Sequence, residues 1–128
     1  MIRDEMKEIY VDFIIEHYKH PMNFGEIENP DFSATDGNPY CGDIVKIDIK
    51  VEDDIIKDIK FNGSGCAISQ AAASILTELV KGKPLEFAKK FTKEDMLEAL
   101  GIPIGPQRMK CALLAYTVMK KAIGETKS

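Results

Sequence analysis

Between Ile44 and Glu52 the chain alternates without a fault: Val45, Ile47, Ile49 and Val51 are apolar, and the intervening Lys46, Asp48, Lys50 and Glu52 are charged. Successive side chains of a β-strand turn to opposite faces, so this pattern describes a strand with one face buried and one in water. Asp53-Asp54 makes a turn, and Ile55 to Asn62 returns with Ile59 and Phe61 on the inner face, which predicts an antiparallel hairpin. Gly63-Ser64-Gly65 then breaks the second strand.

Helical spacing surrounds the hairpin. From about Asp4 to Lys19, Met6, Ile9, Tyr10, Phe13, Ile14 and Tyr18 recur at intervals of three and four, the mark of an amphipathic helix ended before His20-Pro21. Met22 to Tyr40 is rich in Asn, Gly, Pro and Asp and reads as a loop with a short strand near Phe32 to Thr35. Ala67 to Lys81 is a helix with Ile68, Ala71, Ala72, Ile75, Leu76, Leu79 and Val80 on one side, stopped by Gly82 and Pro84. Its run Ala71-Ala72-Ala73-Ser74 permits close approach by a neighbour. Short helices are expected at Pro84 to Phe91 and Thr92 to Leu100, the second opened by a Thr92 cap with Asp95 three residues on. After a loop at Pro103 and Gly105-Pro106, a last helix runs from about Pro106 or Gln107 to Ile123. A helix, then strands, then a run of helices indicates the α+β class: a small antiparallel sheet of about three strands with helices packed on one face. With 128 residues, 45% of them hydrophobic, one domain spanning 1–128 is expected.

Charge narrows the partners. A formal net charge of -4 and no basic run argue against nucleic acid, whose phosphates demand a basic surface. No apolar stretch approaches the roughly 20 residues that span a bilayer, and Met1-Ile-Arg-Asp-Glu-Met-Lys-Glu lacks the apolar core of a signal peptide, so a cytoplasmic protein without a membrane partner is expected.

The three cysteines are an odd number for a disulfide framework, and reduced thiols invite a metal or redox reading, although any of them could be a small buried hydrophobe. All three fall at junctions. Cys41 lies in the loop feeding the first long strand, Cys66 where a strand gives way to a helix, and Cys111 in the first turn or two of the last helix. They form no CxxC pair, so only the fold can assemble a shared site. Asp43 lies two residues beyond Cys41, and Gly42 between them lets the backbone bend so that thiolate and carboxylate face one ion. Three thiolates and a carboxylate supply the four ligands of a tetrahedral zinc or a small cluster. Helix N-termini at Cys66 and Cys111, and Lys110 beside Cys111, favour the thiolate form. The alternatives are a turn aspartate at 43 and an ordinary solvated lysine at 110. His17 and His20 share a helix end, where surface or capping roles are preferred to a metal pair.

From Tyr10 to about Ala122 the chain resembles the IscU/NifU-type iron–sulfur cluster scaffolds and their SufU relatives. The likeness is carried by His17-Tyr18-Lys19-His20-Pro21-Met22-Asn23, Pro39-Tyr40-Cys41-Gly42-Asp43, Gly65-Cys66-Ala67-Ile68-Ser69 leading to Thr77-Glu78, Val80-Lys81-Gly82-Lys83, and Lys110-Cys111-Ala112-Leu113-Leu114-Ala115. The resemblance implies a scaffold that takes persulfide sulfur from a cysteine desulfurase, binds iron, draws electrons from a donor such as a ferredoxin, and holds a [2Fe-2S] cluster for recipient apoproteins. It matches Cys41, Cys66 and Cys111 to cluster ligands, Asp43 to the aspartate that ligates metal or makes the cluster labile, and Cys111 to the usual persulfide acceptor. Zinc in the cluster-free form and a homodimer, with Tyr10 at its surface, are further expectations.

Three departures qualify the match. IscU proteins usually carry His immediately before the third cysteine, whereas Lys110 stands here as it tends to in SufU proteins; Asp43 is then the better fourth ligand. The tract Ile104-Gly105-Pro106-Gln107-Arg108-Met109-Lys110 keeps one of two adjacent prolines, so partnership with a dedicated Hsp70 chaperone is not predicted. The insertion of SufU proteins before the third cysteine is also missing. The frame is thus IscU-length with a SufU-like third-cysteine motif, and that motif makes a SufU-like zinc-dependent sulfurtransferase that passes persulfide onward the main alternative; a third is a structural zinc module. That third reading requires buried ligands; loop-borne ligands instead suggest an exposed, labile site.

Overall fold

The computed structural model describes residues 4–38, 42–106 and 108–124. Its elements run α1 (Asp4–Lys19), β1 (Phe32–Asn38), β2 (Asp43–Glu52), β3 (Ile55–Ser64), α2 (Ala67–Val80), α3 (Leu85–Lys90), α4 (Lys93–Leu100) and α5 (Met109–Ala122). The three strands form one antiparallel sheet in the order β1-β2-β3. The α+β class, the strand count and the covering helices agree with the reading of the sequence.

The alternation in β2 does what its period requires. Val45, Ile47 and Ile49 are fully buried and meet Ile59 and Phe61 of β3, with Ile49 opposite Ile59 and Ile47 opposite Phe61. Burying such a side chain contributes roughly 1.5–3 kcal/mol, so this face is the main cohesive surface of the domain. Asp53 and Asp54 both take positive φ, the conformation that lets a two-residue turn follow the twist of its strands. Pairing then skips Lys57: Lys50 faces Asp58 and Val51 faces Ile56. This bulge returns Ile56 to the inner face, where it is fully buried.

Helices α2 and α5 cover the inner face, α2 against β3 and α5 against β1 and β2, and α1 lies on α2. Ala71, Ala72, Ala73 and Ser74 have no exposed surface, which is why α2 can sit at the centre of this layer. Helix α4 is opened by a complete capping box: Thr92 Oγ1 accepts from Asp95 N, and Asp95 Oδ2 accepts from Thr92 N, both at 3.0 Å.

Several expectations are corrected. β1 is longer than the strand expected near Phe32 to Thr35, because its whole length pairs with β2. Leu79, expected on the buried side of α2, is 38% exposed, since α3 and α4 leave an open groove beside it. On α1, Ile14 is buried but Phe13 and Tyr18 are exposed, because α2 covers a narrower stripe than the sequence offers. The side chains of Met6, Ile9 and Tyr10 lie outside the described residues. Asp48, expected on the solvated face of β2, is only 2% exposed. The chain after α1 is strapped across that face: Ile27 N donates to Asp48 Oδ2 at 3.1 Å and Ser33 Oγ donates to Oδ1 at 2.6 Å.

Candidate metal centre

Three of the proposed donor residues converge from three elements. Asp43 opens β2, Cys66 caps α2, and Cys111 is the third residue of α5. One donor atom from each lies within 4.8 Å of the others. Among the described residues this is the one such group of His, Cys, Asp or Glu that could hold a metal ion. Cys41 lies outside the described residues; Gly42, which separates it from Asp43 in the chain, takes φ +69°.

The convergence has local causes. Gly63 and Gly65 let the end of β3 run against the start of β2: a Cβ on Gly63 would meet the Ile44 carbonyl oxygen at 2.1 Å. The chain then turns into α2, whose N-terminal residue Cys66 makes no side-chain cap of its own. Asp43 supplies the missing acceptor from outside the helix. Its Oδ1 accepts from Cys66 N at 2.7 Å, and its Oδ2 lies 3.5 Å from Cys66 Sγ. An anion at a helix N-terminus is stabilised by the unpaired amides and the helix dipole there. Ser69 Oγ, buried one turn on, donates to the Cys66 carbonyl at 3.1 Å and lies 3.9 Å from Cys66 Sγ.

Burial departs from the exposed site that loop-borne ligands suggested. Asp43 is 3% exposed and Cys111 is 1% exposed, while Cys66 is partly buried. The reason is the layer itself: α5 lies across β1 and β2, and α2 across β3, so donors at their ends face one another under the helices. Lys110, next to Cys111, is exposed. His17 and His20 do not join this group; His17 Nδ1 lies 2.7 Å from Ser74 Oγ, a contact between α1 and α2. Two further residues lie beside the centre, of which Ser69 falls within the Gly65-Cys66-Ala67-Ile68-Ser69 motif and Gln70 just beyond it. Ser69 and Gln70 are buried on the first turns of α2, and Gln70 Nε2 has no hydrogen-bond partner. Their nearness to Cys66 follows from helical spacing, but nothing in the local pattern separates them from an exposed turn.

Two thiols and a carboxylate are a fit donor set for zinc or iron: thiolates bind either strongly, and the carboxylate adds a harder ligand. Residues 9–128 match the family model for the NifU-like N-terminal domain. The chain belongs to that family. Among its relatives, iron–sulfur cluster assembly scaffold protein IscU 1 of Archaeoglobus fulgidus is 44% identical over 115 residues, covering 90% of this chain and 74% of that protein. The IscU scaffold protein of Escherichia coli is 40% identical over 123 residues, covering 93% of this chain and 94% of that one. The zinc-dependent sulfurtransferase SufU of Bacillus subtilis is 36% identical over 134 residues, covering 91% and 90%. A crystal structure of a candidate SUF-system scaffold from Fervidobacterium islandicum superposes with a TM-score of 0.78 at 30% identity, covering 91% of this chain and 97% of that one.

Proposed function

We propose that this NifU-like domain, spanning 1–128 as a single unit, is a scaffold on which a [2Fe-2S] cluster is assembled and from which it is handed to apoproteins. The observation that carries the reading is the meeting of Asp43, Cys66 and Cys111 within 4.8 Å from three separate elements. Cys41, on the far side of Gly42 from Asp43, completes a set of three thiolates and one carboxylate. A carboxylate exchanges more readily than a thiolate at iron, so one aspartate among three cysteines suits a cluster that must leave. The cluster is cargo.

Sulfur enters by attack of a thiolate, Cys111 in this reading, on the outer sulfur of a desulfurase persulfide. The new S–S bond forms as the desulfurase thiolate departs. Two electrons from a donor such as a ferredoxin then release that sulfur as sulfide for iron. Lys110, exposed beside Cys111, favours its thiolate. The reading assigns this work to the cytoplasm, where thiols are kept reduced. Self-association of two chains is a further part of the proposal, tested by light scattering with and without the cluster.

A second reading, a zinc-bound sulfurtransferase that passes persulfide onward, is supported by Lys110 and by the likeness to the SufU protein. Anaerobic reconstitution with a cysteine desulfurase, cysteine, ferrous iron and a reductant separates the two. A [2Fe-2S] absorption spectrum with matching iron and sulfide supports the scaffold. Persulfide on a cysteine with zinc alone bound would sink it in favour of the sulfurtransferase.

A further inference from the structure

Gly65 stands at φ +142°, at the step from β3 into α2. A Cβ built there would lie 2.1 Å from Asp43 Oδ1, 2.6 Å from Asp43 Cγ and 2.8 Å from Asp43 Cα. Non-bonded heavy atoms settle at about 3.5–4.0 Å, so the carboxylate occupies the volume that a side chain at 65 would need. We infer that Gly65 is a positioning residue for Asp43: its missing side chain admits the carboxylate beside Cys66, and so makes the donor set thiolate-plus-carboxylate instead of thiolate alone. The consequence for metal rests on the function proposed above; the packing relation does not.

The Asp43 backbone has little room to retreat. Asp43 pairs with Asn38, and Ile44 is held between Gly37 and Ser64. Gly63 already presses on the Ile44 carbonyl. A methyl group at 65 therefore displaces the carboxylate, and its 2.8 Å approach to Asp43 Cα, together with the +142° φ, also requires the backbone at 65 to shift. Turning the carboxylate away breaks its 2.7 Å bond from Cys66 N and withdraws Oδ2 from the Cys66 sulfur. The rotation itself moves neither Cys66 Sγ nor Cys111 Sγ, so both sulfurs remain as donors while the oxygen donor leaves. The neighbouring exposed face of Gly65 shows that solvent contact is not what excludes a side chain here.

The experiment compares wild type, Gly65→Ala, Asp43→Ala and the double variant, first without metal. By amide NMR, the Cys66 amide is expected to lose its hydrogen-bonded shift and its protection from solvent exchange in Gly65→Ala as fully as in Asp43→Ala, while amides from Ile75 to Val80 keep theirs. Zinc competition should then give an affinity roughly 10- to 100-fold weaker for Gly65→Ala, the usual effect of losing a supporting group around a metal ligand. No further loss is expected in the double variant, and the cobalt(II) thiolate charge-transfer band should keep its wild-type intensity. A wild-type Cys66 amide in Gly65→Ala, or losses that add in the double variant, would overturn the inference. Should Gly65→Ala not fold, the through-hydrogen-bond coupling between Cys66 N and Asp43 Cγ in the wild type decides: its presence is expected, and its absence overturns the inference. If neither zinc nor cobalt binds any of the four proteins, the metal reading falls and the amide result still judges Gly65.

Discussion

His17 Nδ1 and Ser74 Oγ stand 2.7 Å apart, joining the last turn of α1 to the middle of α2. Met22 N donates to the same hydroxyl at 2.8 Å, so Ser74 anchors both the helix and the chain that leaves it. Asn23 extends the anchor by donating to Thr77 Oγ1 and Glu78 Oε2, both at 3.1 Å. A neutral ring protonated on Nε2 accepts the Ser74 proton at Nδ1; a charged ring cannot.

Burial lowers the His17 pKa below its usual 6.5, and Glu78 and Glu16 oppose the shift only in part. The folded state therefore takes up the proton less readily than the unfolded chain. This contribution to stability is complete above the unfolded value and is lost as pH falls through the lower folded value. Melting curves between about pH 7.5 and 5 should show the midpoint falling over that interval. His17→Asn is expected to melt lower at neutral pH yet with a flatter slope; an unchanged slope would remove His17 as the cause.

The unequal burial of the two described cysteines predicts unequal reactivity. With metal removed, iodoacetamide should modify Cys66 before Cys111, which must wait for the helices to part. The rates should differ on the order of ten-fold or more, since an opening that costs only about 1.4 kcal/mol already gives that factor. Peptide mass spectrometry reads both sites at once. Equal rates would mean that α2 and α5 separate freely before any sulfur arrives.

Asp48 predicts a stability effect remote from the centre. Asp48→Ala leaves the Ile27 amide and the Ser33 hydroxyl without their acceptor and frees Lys46 Nζ from a 3.8 Å ion pair. An orphaned polar group costs about 1–3 kcal/mol, and urea denaturation should show a loss in that range. Zinc affinity should be unchanged, because the strap and the centre lie on opposite faces of the sheet.

Gln70 predicts the reverse sign. Its Nε2 is buried without a partner, so Gln70→Leu removes an unmet donor and keeps the volume. The metal-free protein should gain about 1 kcal/mol, seen as a higher denaturation midpoint. A loss would show that the amide makes a contact in solution.

What could be read from the sequence follows the range of the interactions. The hairpin, the start of α2 at Cys66 and the Thr92–Asp95 cap depend on neighbours a few residues apart, and each was legible. The bulge at Lys57, the burial of Asp48 and the exposure of Leu79 depend on segments that meet only after folding. No local pattern announces them. The centre was legible in a different way: junctions located the cysteines, but their meeting with Asp43 is set by the packing of α2 and α5 on the sheet. Cys41 and its place in the donor set lie outside the described residues.

The position of Cys111 comes from α5 resting on α2 and the sheet, not from the chain that leads to it. The stretch Gly101 to Pro106 packs Ile102 and Ile104 against the core but exposes Pro103, Gly105 and Pro106 on the way from α4 to α5. Lengthening such a surface loop adds little closure entropy, about 0.6 kcal/mol per doubling. This makes it a natural splice point: a tag, a reporter or a whole second domain inserted at Gly105 should ride on the protein while the thiols beneath keep their spacing.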